Sequence, residues 1–397
     1  MSPGIYNKSY LMTAGPTPLP PAVSQVMAEP ILYHRAPAFI EIYERALAGL
    51  KRVFQTGNDV LAFSSSGSGA LESAVANLTT AGEPAVVASA GKFGERWAEL
   101  CTAYGVDMTH LEFDWGTKID PETVDEALSS LDRPARALFV THSETSTGVV
   151  HDVRTLAEIA RKHDTIIVVD AVSGMGAVTL PQDEWGVDVV VSGSQKALMS
   201  PPGLGFASVN ERALEAAAAN ATPRYYFDWV KTSKGQRKSP ADSPFTPAVT
   251  VWRSLDIALG MIEEEGLENV FARHAALARA ARAGIAAIGL ERFGPDDDGA
   301  NVVTGAHLPE EIDGARLPKV MRDDLGITVA GGQGHLKGKI VRIAHCGYYG
   351  AFDIIVAMSG LEMALKRLGY ECEAGAAAGA AEQVLIDAGS PEPVGKT

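Results

Sequence analysis

Between residues 60 and 210, short apolar runs rich in β-branched residues alternate with segments of helical length. Parallel strands need long crossover connections, and a helix is the usual one, so this alternation favours a mostly parallel sheet covered by helices. The pattern predicts a doubly wound α/β unit with seven strands, at Val60–Phe63, Ala85–Ser89, Met108–Phe113, Ala135–Thr141, Thr165–Asp170, Val187–Ser192 and Gly205–Val209.

Two of the connecting helices carry recognisable start signals. Pro121 follows Asp120 and suits a first helical position, because its fixed φ fits a helix and its missing N–H costs nothing there. Asp152 is a candidate N-cap for the amphipathic stretch Val153–His163. These signals place helices between strands, as the parallel sheet requires.

The rest of the chain predicts a second, smaller unit. A Pro-, Ser- and Lys-rich segment runs to Pro247, and a long helix over Ala248–Ile288 would connect the two units. The last third then has the pattern strand, helix, strand, helix, which indicates a small α+β domain. Its predicted elements are Val302–Leu308, Asp313–Asp324, Lys339–Ala344 and a helix capped by Asp353.

We therefore expect four segments along the chain. An N-terminal arm covers residues 1–20, the large α/β domain covers 21–260, and the small domain covers 261–370. The tail over 371–397 is rich in Ala, Gly and Glu, a composition typical of a frayed helix or a disordered end.

Composition argues against several classes of protein. A formal charge of -15 does not suit a nucleic-acid surface, and 46% hydrophobic with 21% charged residues is ordinary globular usage without a membrane-length apolar run. Prolines interrupt the N-terminal sequence where a signal peptide would need an apolar run. Three cysteines without C-x-x-C spacing fit a reducing compartment and give no framework for a metal. We expect a cytoplasmic protein without a metal.

An aspartate and a lysine carry most of the chemical information. Asp170 ends the apolar run 166–169, so it emerges at the carboxyl edge of a sheet, where α/β folds bind ligands. Lys196 follows small and polar residues just past the next strand, which leaves room for a bulky ligand. A pyridoxal aldehyde on this amine gives an imine, and a carboxylate under the pyridine nitrogen keeps the ring protonated as an electron sink. Alone, Asp170 also fits a cap and Lys196 a solvated side chain.

A Ser/Gly turn lies between the first predicted strand and a helix that begins near Ala70. Amides at a helix N-terminus attract anions, so this turn predicts a cradle for the phosphate of pyridoxal 5'-phosphate. Helix capping alone would also explain it. The turn lacks the Lys of a GxxxxGK[ST] loop and the third Gly of GxGxxG, so nucleotide-binding signatures are not met. The turn residues are Ser66, Gly67 and Ser68.

Taken together, these motifs resemble the fold-type I, class V aminotransferases, specifically the alanine-glyoxylate and serine-glyoxylate (or serine-pyruvate) aminotransferases. The resemblance runs from about Thr13 to Leu368, and the block SGSQKAL followed by PPG is its most specific part. It implies a fold-type I transferase in which Lys196 forms the Schiff base with the cofactor and Asp170 meets the pyridine nitrogen.

The resemblance also implies further cofactor contacts. Val172 would pack on one face of the ring, and Phe93 would stack on it unless it is ordinary core. Thr145, in the THSETSTG stretch, would lie near the ring oxygen. The phosphate would meet Gln195 and the turn formed by Ser66, Gly67 and Ser68.

Substrate contacts are implied at both ends of the chain. Arg342, in GKIVRIAHCG, matches the arginine that grips the substrate carboxylate, and its planar fork suits that task. The alternative is an ion pair between this arginine and an acid on a strand. Gly15 resembles the N-terminal loop that closes over substrate, which places the arm in the active-site region. His34 and Arg35 match a family pair without a derived role.

Thr246 resembles a phosphate ligand that the neighbouring subunit contributes in the family's dimers. A homodimer with shared active sites follows from this resemblance. A Tyr that some relatives carry three residues earlier is Ser243 in this chain, so the cross-subunit grip on the phosphate is expected to be weaker.

The predicted reaction is a ping-pong amino transfer through Lys196, from a small amino acid such as alanine or serine to glyoxylate or pyruvate. Lys196 would also act as acid and base, which needs a pKa well below its usual value of about 10.4. Another fold-type I reaction, a lyase or a desulfurase, stays open, although neither Cys101 nor Cys346 lies in an obvious persulfide loop. Unusual amines and a non-catalytic relative that keeps only the fold are further alternatives.

Overall fold

The computed structural model describes residues 8–297 and 299–389. Its centre is a seven-stranded sheet, and each strand lies within two residues of its predicted bounds, so the sequence prediction is confirmed. From one edge to the other the strands are Asp59–Phe63, Gly205–Val209, Val189–Gly193, Ile166–Asp170, Ala137–Thr141, Pro84–Ser89 and Asp107–Glu112.

The sheet is mixed, because Gly205–Val209 runs antiparallel to both of its neighbours while the other strands share one direction. The inner strands are buried on both faces, which explains their continuous apolar sequences. Asp170 pairs in register with Val191 on the adjacent strand. The carboxyl ends of these two strands therefore lie side by side, and the functional residues follow them.

Helices cover both faces of this sheet, and both predicted start signals are confirmed. The Asp120 side chain accepts hydrogen bonds from the amides of Glu122 and Thr123, and Asp152 accepts one from Thr155 at 3.1 Å. The helices are Pro21–Val26, Pro37–Val53, Gly67–Leu78, Lys92–Ala103, Pro121–Ser129, Val153–Lys162, Gln182–Trp185, Glu211–Ala219 and Trp229–Gln236.

The prediction of a single helix over 248–288 is wrong. The structure has two helices, Val249–Glu265 and Leu267–Ala287, separated by Gly266. Gly266 has φ +83°, a conformation that a glycine adopts without steric cost and that ends a helix. Its amide still bonds the Ile262 carbonyl at 2.9 Å, so the first helix is closed before the chain turns.

A smaller, four-stranded antiparallel sheet follows. The helix predicted from Asp313 begins only at Leu317, since residues 313–316 form turns and Pro318 suits the start of a helix. Asp353 accepts the Gly350 amide at 2.8 Å from the third position of the last predicted helix, as a capping residue does. The elements are Arg292–Phe293, Val303–His307, Leu317–Lys319, the π-helical turn Val320–Asp324, Ala330–Gly331, Gly334–Leu336, Ile340–Ala344 and Ala351–Arg367.

Both ends of the described chain pack against this second unit. Tyr10–Leu11 pairs in parallel with Ile327–Thr328, which anchors the arm that leads to Gly15. The tail, predicted as a frayed helix or a disordered end, instead forms the packed helix Ala376–Gly389. Small residues explain the difference, because Ala377 is fully buried against Gly284, where a side chain would collide with the Ala377 carbonyl.

Parts of two predicted segments, residues 1–7 of the arm and 390–397 of the tail, lie outside the described residues. None of the helices that the structure describes combines the length and apolarity needed to cross a bilayer.

Candidate active site

A cavity of about 280 Å³ opens at the carboxyl edge of the large sheet. Residues from the arm, the Ser/Gly turn and the ends of two neighbouring strands line it together. Of the twelve predicted site residues, nine line this cavity: Gly15, Ser66, Gly67, Ser68, Phe93, Asp170, Val172, Gln195 and Lys196.

Lys196 is the buried cation of the cavity, with only 8% of its surface exposed. Its Nζ donates a hydrogen bond of 2.6 Å to the Ala14 carbonyl, and the Thr17 hydroxyl donates to the Lys196 carbonyl at 3.0 Å. Burial lowers the pKa of the Lys196 amine, against the opposing effects of Cys346 and Asp170. The arm therefore closes over an amine that loses its proton more readily than an exposed lysine does.

Gly15 is the point where the arm touches this lysine. It has φ +138°, and a Cβ built on it would lie 2.4 Å from Lys196 Nζ. Any side chain would have to displace the lysine, so the position requires glycine. The predicted closeness of the arm to the active site agrees with this geometry.

Asp170 is buried at the end of its strand, with its Oδ1 accepting the Val172 amide at 2.8 Å. Burial raises the pKa of its carboxyl from 3.8 to about 6, and the bond from Val172 and the nearby Lys196 oppose the rise. A buried carboxylate without an ion-pair partner becomes more stable when a cation approaches it. A protonated pyridine nitrogen is such a cation.

The Ser/Gly turn has the features that a bound phosphate needs. Ser66 stands at the N-cap of the helix Gly67–Leu78 without a capping side-chain bond, which leaves the helix N-terminus open. A Cβ on Gly67 would lie 2.8 Å from a Val172 methyl, so the close approach requires glycine. Gln195 Oε1 is buried without a partner, and rotation of its amide would present the NH₂ to an anion. These residues fit the phosphate of pyridoxal 5'-phosphate.

Phe93 forms one wall of the cavity, with its ring centroid 5.9 Å from Lys196 Nζ. Sequence reasoning missed the residue that holds it. The Glu144 carboxylate is fully buried and accepts the amides of Phe93 and Gly94 at 3.0 and 2.9 Å, which caps the helix Lys92–Ala103. Burial raises the pKa of Glu144. The signal for this role was a lone acid in the otherwise uncharged, buried stretch THSETSTG.

Arg342 lies beside the cavity rather than in its lining. Its Nε donates to the Gly331 carbonyl at 2.9 Å and its Nη1 to the Thr145 carbonyl at 2.5 Å. Thr145 in turn shares a 3.2 Å hydroxyl contact with Ser173, which does line the cavity. No carboxylate of the described residues lies within 4 Å of this guanidinium, and burial lowers its pKa. The simple ion pair is therefore not what holds Arg342.

Thr246 is exposed and lies outside the Lys196 cavity. The structure does not bring it together with the other predicted phosphate contacts within one chain. Arg35 forms an ion pair of 3.1 Å with Asp242. Both residues line a surface groove that His34 also lines.

Arg96 is a second residue that the sequence reasoning missed. It lines the cavity one helical turn after Phe93, and its Nη1 donates to the Ser68 hydroxyl at 3.2 Å. The spacing of three residues on one helix was the available signal.

Elsewhere in residues 8–297 and 299–389, no group of three or more His, Cys, Asp or Glu side chains is placed to hold a metal ion. Cys101 and Cys346 are buried free thiols, and burial raises their pKa to about 12 and about 11.

A buried lysine and carboxylate meeting an open helix N-terminus at this edge of a mostly parallel sheet define the pyridoxal-phosphate enzymes of fold type I. Comparison with protein families narrows the class. The family model of the class-V aminotransferases matches residues 9–344, and the chain belongs to this family. Pyridoxal 5'-phosphate is therefore its cofactor.

Three known proteins show the extent of the similarity. The serine–glyoxylate aminotransferase of Methylorubrum extorquens is 32% identical over 95% of this chain and 96% of its own length. The crystal structure of ureidoglycine–glyoxylate aminotransferase from Bacillus subtilis has a TM-score of 0.89 at 31% identity, and covers 95% of this chain and 98% of its own.

The third protein carries a different kind of name. The small subunit of a soluble hydrogenase from a Synechococcus species is 41% identical over 96% of this chain and 100% of its own length. That name is said of the relative and not of this chain, whose fold and family are those of aminotransferases.

The raised pKa of Asp170 predicts a pH-dependent effect of Asp170→Asn on the protein without cofactor. A carboxyl whose pKa is raised on folding stabilises the fold below its unfolded pKa of 3.8, and this stability is lost as the pH rises through about 6. The Asn variant has no such carboxyl and does not show this loss. The free energy of unfolding of the variant minus that of wild type should therefore rise by about 2 kcal/mol between pH 4.5 and pH 7.

Urea unfolding of both proteins across this pH range measures the difference. Titrating groups that do not interact with Asp170 cancel between wild type and variant. Parallel curves for the two proteins would show that Asp170 is ionised in the folded protein at pH 4.5, contrary to this account.

Proposed function

We propose that this protein transfers the amino group of a small amino acid, alanine or serine, to glyoxylate or pyruvate by a ping-pong mechanism. The observation that carries the proposal is the buried Lys196 amine, of lowered pKa, facing the buried Asp170 carboxylate in one cavity. Bound pyridoxal 5'-phosphate supplies the electron sink for bonds at the substrate's α-carbon.

Lys196 has two tasks in this proposal. Its Nζ would bond the cofactor in the resting enzyme, and as a free amine Nζ would accept the substrate's α-proton and later give it back. A base works best when its pKa is close to the working pH, and burial moves the Lys196 pKa in that direction. The hydrogen bond from Nζ to the Ala14 carbonyl holds the free amine against the arm.

Asp170 holds the proton of the ring nitrogen. Its own carboxyl is destabilised by burial, so a cation placed against it relieves part of that cost. Val172, whose amide fixes the Asp170 carboxylate, also lines the cavity and would pack against one face of the ring. The same short segment therefore sets both the ring's charge and one of its faces.

Arg342 orients the substrate through its carboxylate. Main-chain carbonyls hold two nitrogens of the guanidinium, and no described acid neutralises it, so an anion from solution is the missing partner. An α-carboxylate fits, and donor and acceptor both present one.

Two features support small substrates. A cavity of about 280 Å³ has to hold the cofactor together with the substrate, which leaves little room for a large side chain. The names of the Methylorubrum and Bacillus relatives share glyoxylate as acceptor but differ in donor. Glyoxylate is therefore the better supported acceptor.

The desulfurase alternative is disfavoured by the thiols. A persulfide-forming cysteine must be a thiolate on an accessible loop. Cys346 is fully buried, and burial raises its pKa to about 11. Cys101 lies on the buried face of the helix Lys92–Ala103, and burial raises its pKa to about 12. Both stay protonated at neutral pH.

We also propose a homodimer in a reducing, cytoplasmic setting. Thr246 is exposed and does not line the cavity, so we assign its role as phosphate ligand to the active site of a second copy of the chain. Free thiols at Cys101 and Cys346 are compatible with that compartment.

Single-turnover half-reactions test the proposed activity. Mixing the cofactor-loaded enzyme with serine or alanine should bleach the visible cofactor band and release one equivalent of the 2-oxo acid. Glyoxylate or pyruvate should then restore the band. If cysteine releases sulfide while no tested amino acid yields a 2-oxo acid, the reaction is another type of chemistry on this fold.

Arg342→Lys tests the substrate contact. The variant should raise the KM of donor and acceptor alike, by roughly tenfold to a hundredfold, because a lysine keeps the charge but cannot form the two parallel bonds. The visible spectrum of the resting enzyme should not change. Steady-state kinetics with each substrate varied separately measure this, and unchanged KM values would place the carboxylate elsewhere.

A further inference from the structure

Arg96 is a cation in the active-site cavity that the amino-transfer steps above do not use. It lies three residues after Phe93 on the helix Lys92–Ala103, so both side chains project from the same face. Its Cζ lies 5.1 Å from the Phe93 ring centroid, and its Nη1 donates to the Ser68 hydroxyl at 3.2 Å. Arg96 therefore spans the wall between the aromatic side chain and the Ser/Gly turn.

The guanidinium is largely unsatisfied. An arginine has five N–H donors, and the bond to Ser68 is the one side-chain hydrogen bond that Arg96 makes in the described part of the chain. Nor does any carboxylate within residues 8–297 and 299–389 come within 4 Å of it. Asp170 is the one acid in the cavity lining, against the cations Arg96 and Lys196. In a chain of net charge -15, this cavity has a local excess of positive charge that favours an anion.

The position of Arg96 identifies which anion. Ser68 belongs to the turn whose helix N-terminus is open, and the unpartnered Gln195 Oε1 is buried nearby, against Gly193. We propose that Arg96 is a ligand of the cofactor phosphate, which it reaches across Ser68 from the Phe93 side. A guanidinium fork binds phosphate oxygens through two parallel, charge-assisted bonds. The inference rests on the proposed function only in that pyridoxal 5'-phosphate occupies this cavity.

In this role, Arg96 gives the phosphate a positively charged ligand from the same chain that holds Lys196. The open amides of the turn supply neutral donors, and the dianionic phosphate needs a compensating charge within the cavity. Arg342 does not supply it, because it lies beside the cavity rather than in its lining and is assigned above to the substrate carboxylate.

The test compares a ligand that has the phosphate with one that lacks it. Apoprotein is titrated with pyridoxal 5'-phosphate and, separately, with pyridoxal, and both dissociation constants are read from absorbance. Arg96→Gln should raise the dissociation constant of pyridoxal 5'-phosphate by roughly tenfold to a hundredfold and leave that of pyridoxal unchanged. Arg96→Lys keeps the charge without the guanidinium fork, so it should lose less affinity for pyridoxal 5'-phosphate than Arg96→Gln does. Arg154→Gln, an exposed arginine on another helix, is the matched control and should bind both ligands as wild type does.

Two results would overturn the inference. Equal weakening of both ligands would mean that Arg96 acts on the ring through Phe93. The other result is an unchanged affinity for both pyridoxal 5'-phosphate and pyridoxal, together with a KM that rises only for a dicarboxylic donor such as aspartate. Arg96 would then contact the substrate side chain. Failure of the proposed function has a separate signature, since wild-type protein would then bind pyridoxal 5'-phosphate without transferring an amino group.

Discussion

Burial of Lys196 and Asp170 in one cavity is the constraint on which the rest of the site depends. Each group pays a desolvation cost, seen in the lowered pKa of the lysine and the raised pKa of the aspartate. The pairing of their two strands in register places both residues at the same sheet edge. A ligand that bonds the amine and brings a cation to the carboxylate relieves both costs at once.

The two sheets contribute separately to this cavity, and short contacts join them. The arm pairs with Ile327–Thr328 near the small sheet before it reaches Lys196 through the Ala14 carbonyl. Arg342 crosses in the other direction, from the small sheet to the Thr145 carbonyl of the large unit. Thr145 directly follows Glu144, whose carboxylate accepts the amides of Phe93 and Gly94 at the start of the helix that carries Phe93 and Arg96.

The sequence predicted what depends on local pattern and on motif. Seven apolar runs located the strands, and Asp170 and Lys196 could be placed because parallel strands end at a common edge. Gly266 could not be recognised as a helix break, since a glycine inside a helical pattern is tolerated unless its φ is positive. Glu144 and Arg96 were missed because their partners, the Phe93 amide and the Ser68 hydroxyl, are 51 and 28 residues away in sequence. Packing of the tail through Ala377 likewise depends on a distant glycine.

The most direct test of the central claim is to identify the residue that bonds the cofactor. Enzyme loaded with pyridoxal 5'-phosphate is reduced with borohydride, digested and analysed by peptide mass spectrometry, with Lys196→Ala treated in parallel. The account predicts one modified site, on the peptide that contains Lys196, and no fixed cofactor in the variant. Modification of a different lysine in wild type, or amino transfer by Lys196→Ala at the wild-type rate, would contradict it.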